Sequence, residues 1–243
     1  MQQDQKILGV KVSNLSLEEV LEYLFKNLEK KEKKLFLTTI NSEILVSANK
    51  NSDIKNLLNS SDLALVDGVW AKRGGQLLGI HLKQRIAGTD LVEIICKEVS
   101  IRPITVGFLG GKHNVAEMAS ERLKNKYPGL KIAFAIENWP QNQKEQNSLK
   151  CDILFVALGH PKQEKWIAQN LPKINVWMAM GVGGAFDILS GKVRRAPKIV
   201  QNLGFEWLFR LMRQPWRVRR QVNLIYFVLL ILKEKLKVSF GKK

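Results

Sequence analysis

The sequence predicts an α/β fold, with a Rossmann-like, mostly parallel sheet covered by helices on both faces and a C-terminal helical appendage that docks on a membrane. Short β-branched or apolar runs alternate with longer segments of helical period along most of the chain. Most of these runs lead into a polar or glycine-rich turn. After Pro197 the sequence becomes rich in Arg, Trp, Leu and Phe. We therefore expect an α/β domain over residues 1–197 and a basic, amphipathic, helical appendage over residues 198–243.

The individual elements follow from local patterns. Ser16, followed by Glu19, has the spacing of a capping box and predicts a helix that begins after Ser16. Residues 136–150 are polar and contain Pro140, which predicts a loop followed by a weak helix. The appendage is predicted as two consecutive helices, 198–213 and 215–237. The predicted strands are 6–10, 35–40, 63–66, 104–109, 131–136, 152–158 and 176–180.

Positive charge is concentrated at the C-terminal end of the chain. The formal net charge is +17. Residues 192–243 contain 14 Lys and Arg but only two acidic residues, Glu206 and Glu234, a net charge of +12. The rest of the chain is nearly balanced. This asymmetry predicts an anionic partner for the appendage, and its apolar, aromatic helices favour a membrane surface over nucleic acid.

The chain lacks the sequence features of exported and membrane-spanning proteins. The N-terminus has no charged-then-apolar signal pattern, and the longest apolar run, 224–232, is shorter than the roughly 20 residues that a spanning helix needs. We therefore expect a cytoplasmic protein, peripheral on the inner face of the membrane. Cys96 and Cys151 lie in apolar runs and are predicted to be buried thiols. No Cys or His cluster has metal-ligand spacing, so no metal site is expected.

Small polar side chains follow the second predicted strand. Thr39 and Asn41 carry hydroxyl and amide groups that can bind sugar hydroxyls or a phosphate. Asn41 or Ser42 would equally serve as a helix cap. The residues alone leave both interpretations open.

Asp67 and Gly68 follow the third predicted strand. Ligands of open parallel sheets bind beyond the carboxyl ends of the strands. An apolar strand that ends in a carboxylate is therefore a candidate position for a general base. An ordinary Asp-Gly turn is the alternative.

Glycine-containing turns join several predicted strands to helices. Backbone N–H groups of such turns can approach phosphate oxygens at a helix N-terminus, so several turns on one sheet edge indicate a nucleoside diphosphate. Their spacing departs from the Gly-x-Gly-x-x-Gly fingerprint. Glu137, after a strand, nevertheless keeps a nicotinamide-dependent oxidoreductase open as an alternative. The turn glycines are Gly110, Gly111, Gly159, Gly183 and Gly184.

No Asp-x-Asp occurs in the sequence, so the usual carboxylate pair for a divalent metal on a sugar nucleotide is missing. Arginines would then have to neutralise the leaving group. Arg210, Arg217 and Arg220 have a spacing that shares one helix face, although Pro215 can kink that helix. A generic basic face for anionic lipid is the alternative, and the two roles are compatible.

In combination these segments resemble the WecG/TagA/CpsF family of bacterial glycosyltransferases. The resemblance runs from about Lys6 through the C-terminal helices, and the order of the blocks makes it specific. The blocks are TINSE (39–43), DG (67–68), RIAGTD (85–90), LGGK (109–112), GHPKQE (159–164), GVGGAFD (181–187), RRAP (194–197) and EWLFRL (206–211).

The resemblance implies an inverting, metal-independent, cofactor-free transfer from a UDP-sugar, often UDP-N-acetylmannosamine, to a polyprenyl-diphosphate-linked sugar. It implies that Asp67 is the base, and that Thr39, Asn41, Arg85 and Gln163 line the catalytic pocket. The tail arginines Arg210, Arg217 and Arg220 would close over the diphosphate at the membrane, and Asp187 would help to hold the uracil.

One segment departs from the family pattern. Asn138-Trp139-Pro140 stands where relatives often have Gly-Tyr-Phe, so Trp139 can stack on the base but cannot supply a tyrosine hydroxyl. We expect the Asp67 carboxylate and the tail arginines to converge on one nucleotide-sized cleft, at the same sheet edge as the glycine turns. A membrane-tethered nucleic-acid-binding module, suggested by the basic tail, is a third and weaker alternative.

Overall fold

A computed structural model describes residues 5–213 and 218–240, without the side chains of residues 202, 210, 213, 218–221 and 238–240. Its strands are β1 (Gln5–Ile7), β2 (Val10–Val12), β3 (Leu35–Ile40), β4 (Leu63–Val66), β5 (Thr105–Gly110), β6 (Lys131–Ile136), β7 (Cys151–Ala157) and β8 (Val176–Gly181). Its helices are α1 (Leu17–Lys30), α2 (Ser42–Lys50), α3 (Ser52–Asn59), α4 (Val69–Leu77), α5 (Gly88–Val99), α6 (Val115–Lys126), α7 (Gln143–Ser148), α8 (Lys162–Asn170), α9 (Ala185–Leu189), α10 (Lys198–Leu203), α11 (Glu206–Arg213) and α12 (Val218–Phe240).

The main sheet has six strands in the order β4-β3-β8-β7-β5-β6. Every neighbouring pair is parallel. The carboxyl ends of all six strands therefore meet at one edge of the sheet, where ligands of such folds bind. The predicted α/β class and parallel sheet are confirmed.

Strand residues alternate between two apolar layers because successive side chains point to opposite faces. Leu35 and Leu37 pack with α1, α5, α6 and α9 on one face. Phe36 packs on the other face, where α8 lies. Cys96 and Cys151 are buried and free, as the sequence predicts.

The prediction of a single strand over residues 6–10 is wrong. The segment forms an antiparallel hairpin, β1 with β2, separate from the main sheet. Leu8 and Gly9 turn the chain with φ of 51° and 79°. Gly9 adopts this left-handed conformation without steric penalty, and Ile7, Val10 and Val12 remain buried.

The helix after Ser16 and its capping box are confirmed, since the Ser16 hydroxyl accepts from Glu19 N–H and the Glu19 carboxylate accepts from Ser16 N–H. Over residues 198–213 and 218–240 the appendage contains three helices, where the sequence predicted two. Gly204, with φ of 84°, ends α10 in a left-handed cap. This cap separates α10 from α11.

The last helix packs on the α/β domain. Phe227 and Ile231 of α12 are each 1% exposed and join the apolar layer formed with β1, β2, α2, α3 and α4. Within the described ranges, no helix has the length and apolarity needed to cross a membrane.

Candidate active site

A cavity of about 230 Å³ opens at the carboxyl end of β4. The end of the sheet and the appendage each contribute a wall to this cavity. Trp70 of α4 and Trp207 of α11 are its aromatic lining. Its charged and amide lining includes Asn41, Glu43, Asp67, Arg85, Arg195 and Glu206.

The Asp67 carboxylate is held at the cavity by Arg85 and by Gly88, the first residue of α5. Its Oδ2 accepts a hydrogen bond from Gly88 N–H at 3.2 Å, and its Oδ1 lies 4.0 Å from Nη1 of Arg85. The Asp67 side chain is 30% exposed. A carboxylate fixed in this way and still open to the cavity can accept a proton from a bound hydroxyl.

Thr39 and Asn41 end the neighbouring strand. Thr39 is buried beside Gly88: a Cβ placed on Gly88 would lie 3.3 Å from Thr39 Cγ2 and 3.7 Å from Asp67 Oδ2. Asn41 caps α2, since its Oδ1 accepts from Ile44 N–H at 3.0 Å, and it also lines the cavity. The capping interpretation of Asn41 is thus confirmed, and it is compatible with contact to a ligand.

Arg195 is a cavity residue that the sequence patterns did not single out. Its Nη2 donates to Asp90 Oδ2 at 2.8 Å and its Nη1 to Asp90 Oδ1, a two-bond pair. The hydrogen bonds to Asp90 raise the pKa of the Arg195 guanidinium, and the charges of Glu206 and Asp67 raise it further. The cavity therefore holds a permanent, oriented cation.

The appendage forms one wall of the cavity. Gln201, Gly204, Glu206, Trp207 and Leu224 line it. The wall is tied to the sheet domain because Trp70 Nε1 donates to the Gly204 carbonyl at 3.1 Å. Arg217 and the side chains of Arg210 and Arg220 lie outside the described residues, so their predicted role is an expectation only.

The turn glycines lie at the same sheet edge as Asp67 but do not line this cavity. The turn after β8 is two strands from β4, about 10 Å, and the turn after β5 is four strands away, about 19 Å.

Close packing explains why two of these positions are occupied by glycine. A Cβ on Gly110 would lie 2.7 Å from the backbone of Ala157, and a Cβ on Gly111 would lie 3.1 Å from Cβ of Val115. A Cβ on Gly159 or Gly183 would meet no described atom within 4 Å. Gly184 is the residue that precedes α9, and a Cβ there would lie 3.4 Å from Asp187 Oδ2. Only the turns at Gly159 and Gly183 thus have open space around them.

Gln163, predicted to line the catalytic pocket, is buried at 3% exposure beneath the turn after β8 and is absent from the cavity lining. Its Oε1 accepts from Gly183 N–H at 2.9 Å, and its Nε2 donates to Glu164 Oε1 at 2.8 Å. Glu164, whose side chain is 0% exposed, also contacts His160 Nδ1 through Oε2 at 3.1 Å. This network fixes the Gly183 turn and occupies its amide, which the phosphate hypothesis had assigned to a ligand.

Replacing Glu164 by alanine is expected to lower stability, because it leaves Gln163 Nε2 and His160 Nδ1 buried without their acceptor. Two such losses cost about 3 kcal/mol, which for a chain of this length lowers Tm by about 6–12 °C. Thermal unfolding followed by circular dichroism measures the change. Glu121→Ala, at an exposed position of α6, is the matched control, and equal Tm values for the two variants would contradict the structural role of Glu164.

Trp139 and Asp187 lie away from the cavity. The Trp139 ring packs edge-to-face against Trp166 and Phe134, with centroid distances of 5.1 and 6.1 Å, so its place is within an aromatic cluster at β6. Asp187 lies in the first turn of α9. The Glu137 carboxylate accepts from His113 N–H at 3.1 Å and so closes the loop after β5.

The sequence matches the family model described as "Glycosyl transferase WecG/TagA/CpsF family" over residues 5–240. It is 30% identical over 237 residues to the N-acetylglucosaminyldiphosphoundecaprenol N-acetyl-beta-D-mannosaminyltransferase of Bacillus subtilis (strain 168), covering 96% of this chain and 93% of the relative. The protein of the same name from Bacillus spizizenii (strain ATCC 23059 / NRRL B-14472 / W23) is 33% identical over 204 residues, covering 82% and 79%.

Proposed function

Because the chain belongs to the WecG/TagA/CpsF family of glycosyltransferases, which places it in cell-surface polysaccharide synthesis of the teichoic acid type, we propose that it moves a sugar from a UDP-sugar to a polyprenyl-diphosphate-linked sugar. The transfer inverts the anomeric carbon and requires neither a metal nor a cofactor. The names of the two Bacillus relatives specify an N-acetylmannosaminyl group and an N-acetylglucosaminyl-diphosphoundecaprenol acceptor. N-acetylmannosamine or a related hexose is accordingly the donor sugar to test first.

The position of Asp67 is the observation that carries this proposal. Its carboxylate takes the proton of an acceptor hydroxyl, and the resulting oxygen forms a bond to the anomeric carbon of the donor. The bond from that carbon to the diphosphate breaks, and UDP leaves with the electron pair from the opposite face. One displacement of this kind inverts the configuration.

The dimensions of the site favour an extended donor. The cavity of about 230 Å³ is smaller than the roughly 300–1,000 Å³ of typical small-molecule pockets, so we place the reacting sugars in it and the rest of the sugar nucleotide outside it. The nucleotide would then run along the carboxyl edge of the sheet toward the turns at Gly183 and Gly159. Arg85 and Arg195 at the cavity supply fixed positive charge for the departing diphosphate, and the tail arginines would add to it.

The activity is tested by incubating the full-length protein with individual UDP-sugars and a short-chain lipid-diphosphate-linked sugar, and following UDP release with and without EDTA. We expect release with one UDP-sugar, dependent on the acceptor and insensitive to EDTA. Release with no donor would overturn the proposal, and loss of release in EDTA would overturn metal independence. Parallel titrations with UDP and NADH separate the proposed transferase from the nicotinamide-dependent oxidoreductase. The oxidoreductase alternative depends on Glu137, whose carboxylate already accepts a hydrogen bond from His113 N–H.

We further propose that α12 lies on the cytoplasmic face of the membrane that holds the acceptor. Opposite the buried Phe227 and Ile231, the helix exposes an apolar stripe at intervals of three or four residues. The surrounding basic charge suits anionic lipid headgroups. The stripe is formed by Val222, Ile225, Leu229, Leu232 and Leu236, which are 47–66% exposed.

Leu229→Asp is expected to weaken binding to anionic vesicles about tenfold, because a leucine side chain loses its place in the bilayer and a like charge is added. Co-sedimentation with vesicles of phosphatidylglycerol and phosphatidylcholine measures the partition coefficient. Ile101→Asp, at an 83% exposed apolar position of the α/β domain, is the matched control. Equal losses in the two variants would show that the stripe is not the contact surface.

A further inference from the structure

We propose that Trp207 of the appendage is the stacking surface for the sugar ring of the lipid-linked acceptor, which makes it a specificity-determining residue supplied by the tail. This inference rests on the proposed function and assigns one part of the substrate to one wall of the cavity. Trp207 lines the same cavity as Asp67, with Glu206 beside it. It is partly buried in the second position of α11.

The two cavity tryptophans differ in what their indole N–H groups contact. Trp70 Nε1 donates to the Gly204 carbonyl and so holds the wall in place. Trp207 Nε1 is buried and has no hydrogen-bond partner among the atoms that the structure describes. A buried indole N–H normally has a partner, and a turn of the Trp207 ring toward the cavity would let a hydroxyl or acetamido oxygen of a bound sugar provide one.

The cavity has the chemistry that a pyranose requires. The C–H bonds on one face of a sugar ring carry small positive partial charges and pack on the negative face of an aromatic ring. The hydroxyl groups at the rim need acceptors and donors in the ring plane. Glu206, Asp67 and Asn41, which line the same cavity as Trp207, carry such groups.

Because Trp207 belongs to the tail, we assign it to the acceptor sugar and not to the donor sugar. The acceptor is held at the membrane by its lipid, and the tail carries the exposed apolar stripe of α12. The donor is expected on the opposite side, along the turns of the sheet. Since Asp67 must reach an acceptor hydroxyl, the acceptor sugar lies between Asp67 and the wall that contains Trp207.

The test compares Trp207→Ala and Trp207→Phe with the wild type in steady-state transfer to a short-chain lipid-diphosphate-linked sugar. We expect the alanine variant to raise the acceptor KM about tenfold, and the phenylalanine variant, which keeps the ring face but loses the N–H, about threefold. The donor KM should stay within about twofold in both. Unchanged Tm and unchanged vesicle binding show that fold and docking are intact.

Phe205→Ala is the matched control, because Phe205 is 46% exposed in the same segment and does not line the cavity. An unchanged acceptor KM in Trp207→Ala, or an equal rise in the donor KM, would overturn the inference while leaving the transferase assignment in place. A wild-type protein that transfers to no lipid-diphosphate-linked sugar would instead overturn the proposed function itself.

Discussion

Replacing Asp67 by asparagine is expected to leave the protein folded and to lower transfer by about 10²- to 10⁴-fold, the usual contribution of a positioned general base. An asparagine side chain keeps an oxygen for the Gly88 N–H, so the start of α5 retains its hydrogen bond. It cannot accept the proton of the acceptor hydroxyl. The measurement is the turnover rate with saturating donor and acceptor, together with Tm.

The control for this variant is Asp53→Asn, which makes the same chemical change at an exposed position in the first turn of α3. UDP binding, measured by calorimetry, should be similar in Asp67→Asn and wild type, because the proposed base contacts the acceptor. Turnover near the wild-type value in Asp67→Asn would remove Asp67 from the mechanism. The pocket assignment would then need another base.

The strands of the main sheet could be predicted from the sequence because each is a buried apolar run bounded by a turn. Three of them, β3, β4 and β6, have the predicted limits. The β1–β2 hairpin could not, since its strands have three residues each, too few for a period to show. The break at Gly204 was missed because the residues on both sides of it continue a helical pattern.

The site residues that directly follow strands could be predicted from the sequence. Asn41 and Asp67 follow adjacent parallel strands, and the structure places both at one cavity with Arg85. Arg195 was not singled out because its partner Asp90 is 105 residues away in sequence. The burial of Gln163 depends on Gly183 and Glu164, and no local pattern indicates that contact.

The contact between α12 of the appendage and Gly74 of α4 is the basis of the second large effect on transfer that we expect. A Cβ on Gly74 would lie 2.6 Å from Cζ of Phe227 and 3.1 Å from Cγ1 of Ile231. Gly74→Leu therefore expels the Phe227 ring from its place. Loss of this burial together with the steric conflict should weaken docking of α12 by about 3 kcal/mol, which lowers the docking equilibrium constant about 100-fold.

Transfer should fall in Gly74→Leu, by up to the same factor, because the docked appendage supplies one wall of the cavity, while Asp67 and Arg85 keep their places in the α/β domain. Hydrogen exchange of α12 measures docking directly. Gln76→Leu, at an exposed position of the same helix, controls for the leucine itself. Adding Phe227→Ala to Gly74→Leu makes room for the new side chain and should restore part of the activity. Full transfer in Gly74→Leu, with α12 exchanging fast, would show that catalysis does not need the docked appendage.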